Sequence, residues 1–176
     1  KCRDVAKVRN YLIFHLIEKN LLRPCALYRL TVDQIQSSKK PDKSDDYKVP
    51  LFYDKTVAST GQASYLHLSD TDRAELETYI NVYRWKISPA TRECGDDLFL
   101  LENGKHLSSD DISRIQRTFW LKAGKNIPDF PLAANSRHIR KCGNDLMHEQ
   151  GSPELKESAP DVLNHLPETN RRYYRS

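Results

Sequence analysis

The chain has 176 residues, 38% of them hydrophobic and 30% charged, with a mean hydropathy of −0.72; one ordinary domain of this size buries a real core. No stretch approaches the roughly 18 uninterrupted apolar residues of a membrane span, and no basic segment followed by an apolar run opens the chain as a secretory leader does. Lys and Arg total 28 against 24 acids, a net charge of +4, which is compatible with a nucleic-acid partner but does not require one.

Residues 4–20 read as a helix, with Val5, Val8, Leu12 and Leu16 at helical spacing and Phe14 and Ile17 widening the stripe. The pattern continues helically from Leu21 to Leu30, with Pro24 in a first turn. Ser37 to Asp46 is rich in Ser, Lys, Asp and Pro and reads as an exposed loop. Tyr47, Val49, Leu51 and Tyr53 alternate as an edge strand containing Pro50. A turn at Ser59-Thr60-Gly61 leads to a second strand through Ser64, Leu66 and Leu68, completing a β-hairpin.

Ser69 is placed to cap a helix over 70–86, with Leu76, Ile80 and Tyr83 on one face. After a loop over Pro89–Asp97, Leu98–Leu101 reads as a short strand closed by the turn signal Asn103-Gly104. Ser108 caps a helix carrying Ile112, Ile115 and Phe119, and Gly124–Pro131 reads as a loop. Asn135 or Ser136 caps a further helix with Ile139, Cys142 and Leu146, broken at Gly151–Pro153. A shorter helical stretch reaches Leu166, and Pro167 precedes a last turn. The fold class expected is mainly α with a small antiparallel sheet, α+β, in one domain over 1–176.

Cysteines stand at 2, 25, 94 and 142, with no Cys-x-x-Cys pair. They read as reduced thiols of an intracellular protein, mostly as small core residues. His138 and His148 flank Cys142, but a zinc site needs a second ligand pair that the sequence does not supply.

The end of the chain carries the most chemistry. The run HLPETNRRYY places Tyr174 nine residues after His165, and Arg140 precedes that histidine by 25 residues in Arg137-His138-Ile139-Arg140-Lys141. Far upstream stands RPCALYRLTVD, beginning at Arg23, and Lys55 lies at the lip of the expected hairpin. This order resembles the catalytic domain of the tyrosine recombinase, or phage-integrase-like, family: Arg, a hairpin Lys, His-x-x-Arg, His or Trp, then Tyr. Three features resemble the Crypton-type recombinases of eukaryotic mobile elements and their domesticated descendants. They are Arg-Pro-x-x-Leu-x-x-Leu-Thr, Lys-Thr-x-x-x-x-Gly and the ending His-x8-Tyr. The resemblance covers Val8 to Ser176.

The resemblance implies a DNA strand transferase that works without a metal or other cofactor on double-stranded DNA. Tyr174 would attack a backbone phosphate and conserve the bond energy in a 3′-phosphotyrosine. Arg23 and Arg140 would hold the non-bridging oxygens with permanently charged, paired donors. Lys55 would protonate the departing 5′-oxygen. His165 would bond a non-bridging oxygen or steady Tyr174. Arg137, or the adjacent His138, would touch a phosphate. The resemblance further implies self-assembly on DNA by the intact protein, a monomeric fragment, and a nuclear location without membrane association. It makes 1–176 an excised catalytic domain lacking the family's amino-terminal clamp and the helix after the tyrosine.

Each residue has a plainer reading. Arg23 suits a surface ion pair, Lys55 a solvated hairpin, Arg140 a solvated helix face, His165 a satisfied core position and Tyr174 a packing anchor. Lys43 and Lys48 rival Lys55, and Tyr173 rivals Tyr174. All the reactive residue types of the family are present, which favours activity over the alternative of a domesticated, inactive DNA-binding or interaction module, but two positions depart from the family pattern. Ala26 stands where an acidic residue is usual. Arg137 stands where His or Lys is usual, and an arginine is a poor base.

Overall fold

The computed structural model describes residues 2–42, 44–52, 64–87 and 96–125, together with Lys141, Cys142 and Asp145. Helix α1 spans Cys2–Lys19, and a short 3-10 helix follows over Pro24–Leu27. Helix α2 spans Val32–Gln36. Strands β1 (Tyr47–Leu51) and β2 (Ser64–Leu68) pair antiparallel, from Tyr47 opposite Leu68 to Leu51 opposite Ser64. Helix α3 (Asp70–Thr78) passes without a break into a π-helical turn over Tyr79–Tyr83 and a 3-10 turn over Arg84–Lys86. Helix α4 spans Ser109–Gly124. The described residues are therefore mainly helical with one small antiparallel sheet, and none of their helices is long and apolar enough to cross a membrane.

The apolar repeats place one continuous core. Leu12, Ile13, Leu16 and Ile17 of α1 bury with Val49 and Leu51 of β1, Leu66 and Leu68 of β2, Leu76 of α3 and Ile112 of α4. The strands bury alternate residues, as a pleated ribbon covered on one face must. Phe14 stacks on Phe119 at 4.8 Å between ring centroids, joining α1 to α4. Beside it, Gln116 and the Trp120 indole both donate to one Glu18 carboxylate oxygen, at 2.9 and 3.0 Å.

Capping explains the helix starts. Thr31, Ser69 and Ser108 each accept the backbone N–H three residues on, and Gln34, Asp72 and Asp111 return the bond to the cap residue. Ser69 and Ser108 are the caps expected from sequence. Asp72, 3% exposed, is also bonded by His15 (2.7 Å) and by the Lys19 ammonium. Burial pushes its carboxyl upward, but the bonds from Lys19, His15 and Ser69 outweigh burial and hold it well below the usual carboxylate range.

Several expectations are corrected. The stretch Leu21–Leu30 does not continue α1. Leu21 turns left-handed at φ 50, and only Pro24–Leu27 closes a helical turn, with Pro24 at its start as expected. The helix over 70–86 changes its winding at Tyr79, because the turn there widens to π and then tightens. Leu98–Leu101 forms no strand: Leu98, Phe99 and Leu100 are core residues in irregular chain, with a single bridge from Leu100 to His106. The turn after it is present, with Gly104 at φ 77 and its N–H on the Leu101 carbonyl at 2.8 Å. Gly124 ends α4 rather than opening a loop. The two described thiols are not core residues, since Cys25 is half-buried and Cys142 exposed. Lys141, Cys142 and Asp145 are helical, as the pattern around Ile139 and Leu146 predicts. The expected segments over 151–176 lie outside the described residues.

Candidate functional site

Arg23 is the one expected site residue among those described, and it stands half-buried at the head of the 3-10 helix. The local chain is built to deliver it there. At the end of α1, Leu22 N–H reaches the Ile17 carbonyl at 3.0 Å and Leu21 N–H reaches Glu18 at 3.4 Å. This is a Schellman cap, and Leu22 and Ile17 are both buried in the core. Its left-handed position is usually glycine, yet here it is Leu21, at a cost of roughly 1–2 kcal/mol. Arg23 then takes an extended conformation, φ −76 and ψ 145, and Pro24 starts the next turn. A second left-handed residue, Arg29 at φ 63, closes the segment. The chain around Arg23 is thus bent twice at positions that only surrounding packing can enforce.

Two side-chain bonds fix this segment to the hairpin. Asn20, 8% exposed, accepts the His67 N–H of β2 on its Oδ1 at 2.8 Å and donates to the Leu16 carbonyl at 3.2 Å. Gln34 of α2 donates to the Pro50 carbonyl of β1 at 2.7 Å. The segment from 20 to 34 is therefore stapled at one end to β2 and at the other to β1. Lys55 itself lies outside the described residues, in the sequence joining the two strands. So do Arg137, Arg140, His165, Tyr174 and the alternatives Lys43, His138 and Tyr173. Lys48, a further alternative to Lys55, is exposed on β1, with its ammonium 6.0 Å from the centre of the Tyr65 ring. On β2, burial and then Lys48 push the His67 imidazole below its ordinary value.

A charged cluster that the sequence did not announce buttresses the site. Arg29 Nη1 lies 3.3 Å from Asp97 Oδ2 and 2.7 Å from His106 Nδ1, and that imidazole also bonds Asp97. Arg84 Nε and Nη2 both donate to the Asp97 carbonyl, at 3.1 and 2.9 Å. Backbone bonds run alongside, from Leu98 N–H to Leu30 at 2.7 Å and from Val32 N–H to Asp96 at 2.8 Å. Arg29 lies six residues after Arg23, but no spacing links either to Asp97 or His106, so only the fold reveals the group. Its role is to hold the second bend of the Arg23 segment.

A separate groove of about 330 Å3 between α1 and α4 is lined by Lys7, Arg9, Arg114 and Lys122 over an apolar floor that includes Phe119. Arg9 is spent internally, donating to the Leu100 carbonyl at 2.6 Å, while the other three cations are exposed. No protein-family model matches the chain, and no curated protein sequence is significantly similar to it.

Proposed function

We propose that the chain is the catalytic domain of a tyrosine recombinase, which cuts and rejoins DNA strands through a 3′-phosphotyrosine. The observation that carries this reading is the double staple: the Arg23 turn is bonded at both ends to the hairpin whose strands lead into Lys55. An anion-holding arginine and a proton-donating lysine must meet one phosphate, and coupling their supporting elements supports that.

In this mechanism the Tyr174 phenol gives up its proton to solvent as its oxygen attacks the scissile phosphorus. The bond to the 5′-oxygen breaks, and that oxygen takes a proton from Lys55. Arg23 and Arg140 hold the non-bridging oxygens while charge accumulates on them, and His165 adds a hydrogen bond. Arg137 or His138 contacts a phosphate. The reverse attack by a 5′-hydroxyl reseals a strand and frees the tyrosine. Fixed cations supply the electrostatics for both steps.

The second reading, a domesticated DNA-binding module on the same scaffold, draws on one structural fact. Ala26 is 1% exposed, so no carboxylate stands three residues beyond Arg23 and apolar packing fills the place. A duplex nicked close to the cleavage point separates the two. On such a substrate a strand-transferase becomes trapped as a covalent adduct, because the short leaving strand diffuses away. The module binds the same duplex with a steep salt dependence but forms no adduct.

A further inference from the structure

A cleft of about 300 Å3 opens between α1 and the α3–π segment, on elements that do not carry Arg23. Glu75, Tyr79 and Tyr83 follow one another at four-residue steps and so share one helical face. Val8, Tyr11 and Leu12 of α1 occupy the facing stripe, and all six line the cleft. The π-helical turn begins at Tyr79, a winding that recurs at functional positions.

One polar atom here, a carboxylate oxygen of Glu75, is buried without a hydrogen-bond partner; the Tyr79 hydroxyl is likewise unpartnered but lies toward the charges of Arg9, Arg84 and Glu102. Tyr79 is wholly buried, whereas Tyr11 is 45% exposed at the rim. A buried carboxylate oxygen without a partner is costly, and a cation relieves the cost. Aromatic faces carry negative potential and attract the same charge. The Lys86 ammonium lies 4.8 Å from the centre of the Tyr83 ring, so this ring is already used in that way within the chain. A bare ammonium is strongly hydrated and gains little beside Val8 and Leu12, whereas alkyl substituents find apolar walls there.

We propose that this cleft binds an alkylated ammonium group, with its charge against Glu75 and the rings of Tyr11 and Tyr83 and its alkyl arms against Val8 and Leu12. The inference is independent of the strand-transfer reading. Both a free quaternary amine and a methylated lysine side chain carry this chemistry.

The test titrates the 176-residue chain with choline, with a short trimethyl-lysine peptide and with 3,3-dimethylbutan-1-ol, the neutral carbon isostere of choline, following the ring resonances of Tyr11 and Tyr83. A saturable response to either cation is expected, with the isostere weaker by roughly two- to thirty-fold. Response to choline alone identifies a free amine, and response to the peptide alone a protein side chain; either supports the site. Glu75→Gln and Tyr11→Leu alter side chains at the cleft without emptying the core, and each is expected to weaken cation binding roughly tenfold while circular dichroism stays unchanged. Equal affinity for the isostere, cation affinity unchanged in Glu75→Gln, or no saturable response to either cation overturns the proposal.

Discussion

The side-chain oxygen of Asn20 accepts the backbone N–H of His67 at 2.8 Å, and this bond ties the last turn of α1 to strand β2. The same amide donates to the Leu16 carbonyl, so one side chain serves a helix end and a strand together. Three residues later comes Arg23. The position of that arginine relative to the hairpin therefore depends on a contact that neither element makes alone.

Asn20→Ala should lower stability by about 1–3 kcal/mol, since it leaves the half-buried His67 N–H of β2 without its acceptor, while the Leu16 carbonyl keeps the backbone N–H of residue 20. Asn20→Asp keeps the acceptor but sets a buried carboxylate against the Leu16 carbonyl, so it should be at least as destabilised at pH 7 and recover part of the loss when protonated at low pH. Urea unfolding of the three proteins measures both. An alanine variant as stable as the parent would show that the staple is incidental.

Leu21 adopts the left-handed conformation at φ 50. Leu21→Gly removes that steric cost but frees the unfolded chain, for a net gain of about 0.5–1 kcal/mol. Leu21→Val, β-branched at the same φ, should lose about 1 kcal/mol or more. The order Gly, Leu, Val in denaturation midpoints checks the strain, and the reverse order contradicts it.

Asp72 gives a pH signature. Its carboxyl is held below the unfolded value of 3.8 by Lys19, His15 and Ser69, despite burial. A depressed carboxylate contributes stability that is fully present above the unfolded pKa and is lost as pH falls through the folded one. Asp72→Asn should therefore be destabilised at pH 7, by roughly 1–3 kcal/mol for this partly exposed network. The gap from the parent should narrow as pH falls below about 4. Stability measured across pH 2–7 tests this, and a gap independent of pH would show that Asp72 acts by shape alone.

How much was legible in the sequence follows from the range of the forces involved. Helix α1, both strands and the starts of α3 and α4 rest on local signals: apolar period, alternation and Ser caps. All of these are readable along the chain. The bend at Leu21 was not, because leucine carries no turn signal; the bend goes with the burial of Leu22 in the core and its N–H bond to the Ile17 carbonyl. The π turn at Tyr79 follows a pattern that reads as ordinary helix. Leu98–Leu100 looked like a strand because a buried apolar run satisfies either reading, and the fold supplies only one bridge for it. The expectation for Arg23 rests on its place in the run RPCALYRLT, a pattern in the sequence. The Arg29–Asp97–His106 group depends on contacts 68 and 77 residues apart and leaves no trace in local spacing.

Two arginines close in sequence should respond differently to mutation. Arg23→Ala should reduce DNA strand cleavage by about 100- to 1000-fold, the usual loss for one preorganised anion-holding donor, with a smaller drop in unfolding midpoint than Arg29→Ala. Arg29→Ala should lower the midpoint, because it releases Asp97 and His106. Parallel cleavage and unfolding assays separate the roles. Equal destabilisation by both would make Arg23 a structural residue.

The most direct measurement is the identity of the covalently linked residue after reaction with a nicked duplex. The strand-transfer account predicts a DNA-linked peptide containing Tyr174. That adduct should vanish in Tyr174→Phe and persist in Tyr173→Phe, with salt-dependent DNA binding retained in both. A link that survives Tyr174→Phe and disappears with Tyr173→Phe would move the nucleophile by one residue. Tight, salt-dependent binding by the full-length protein with no adduct at any tyrosine would contradict strand transfer altogether.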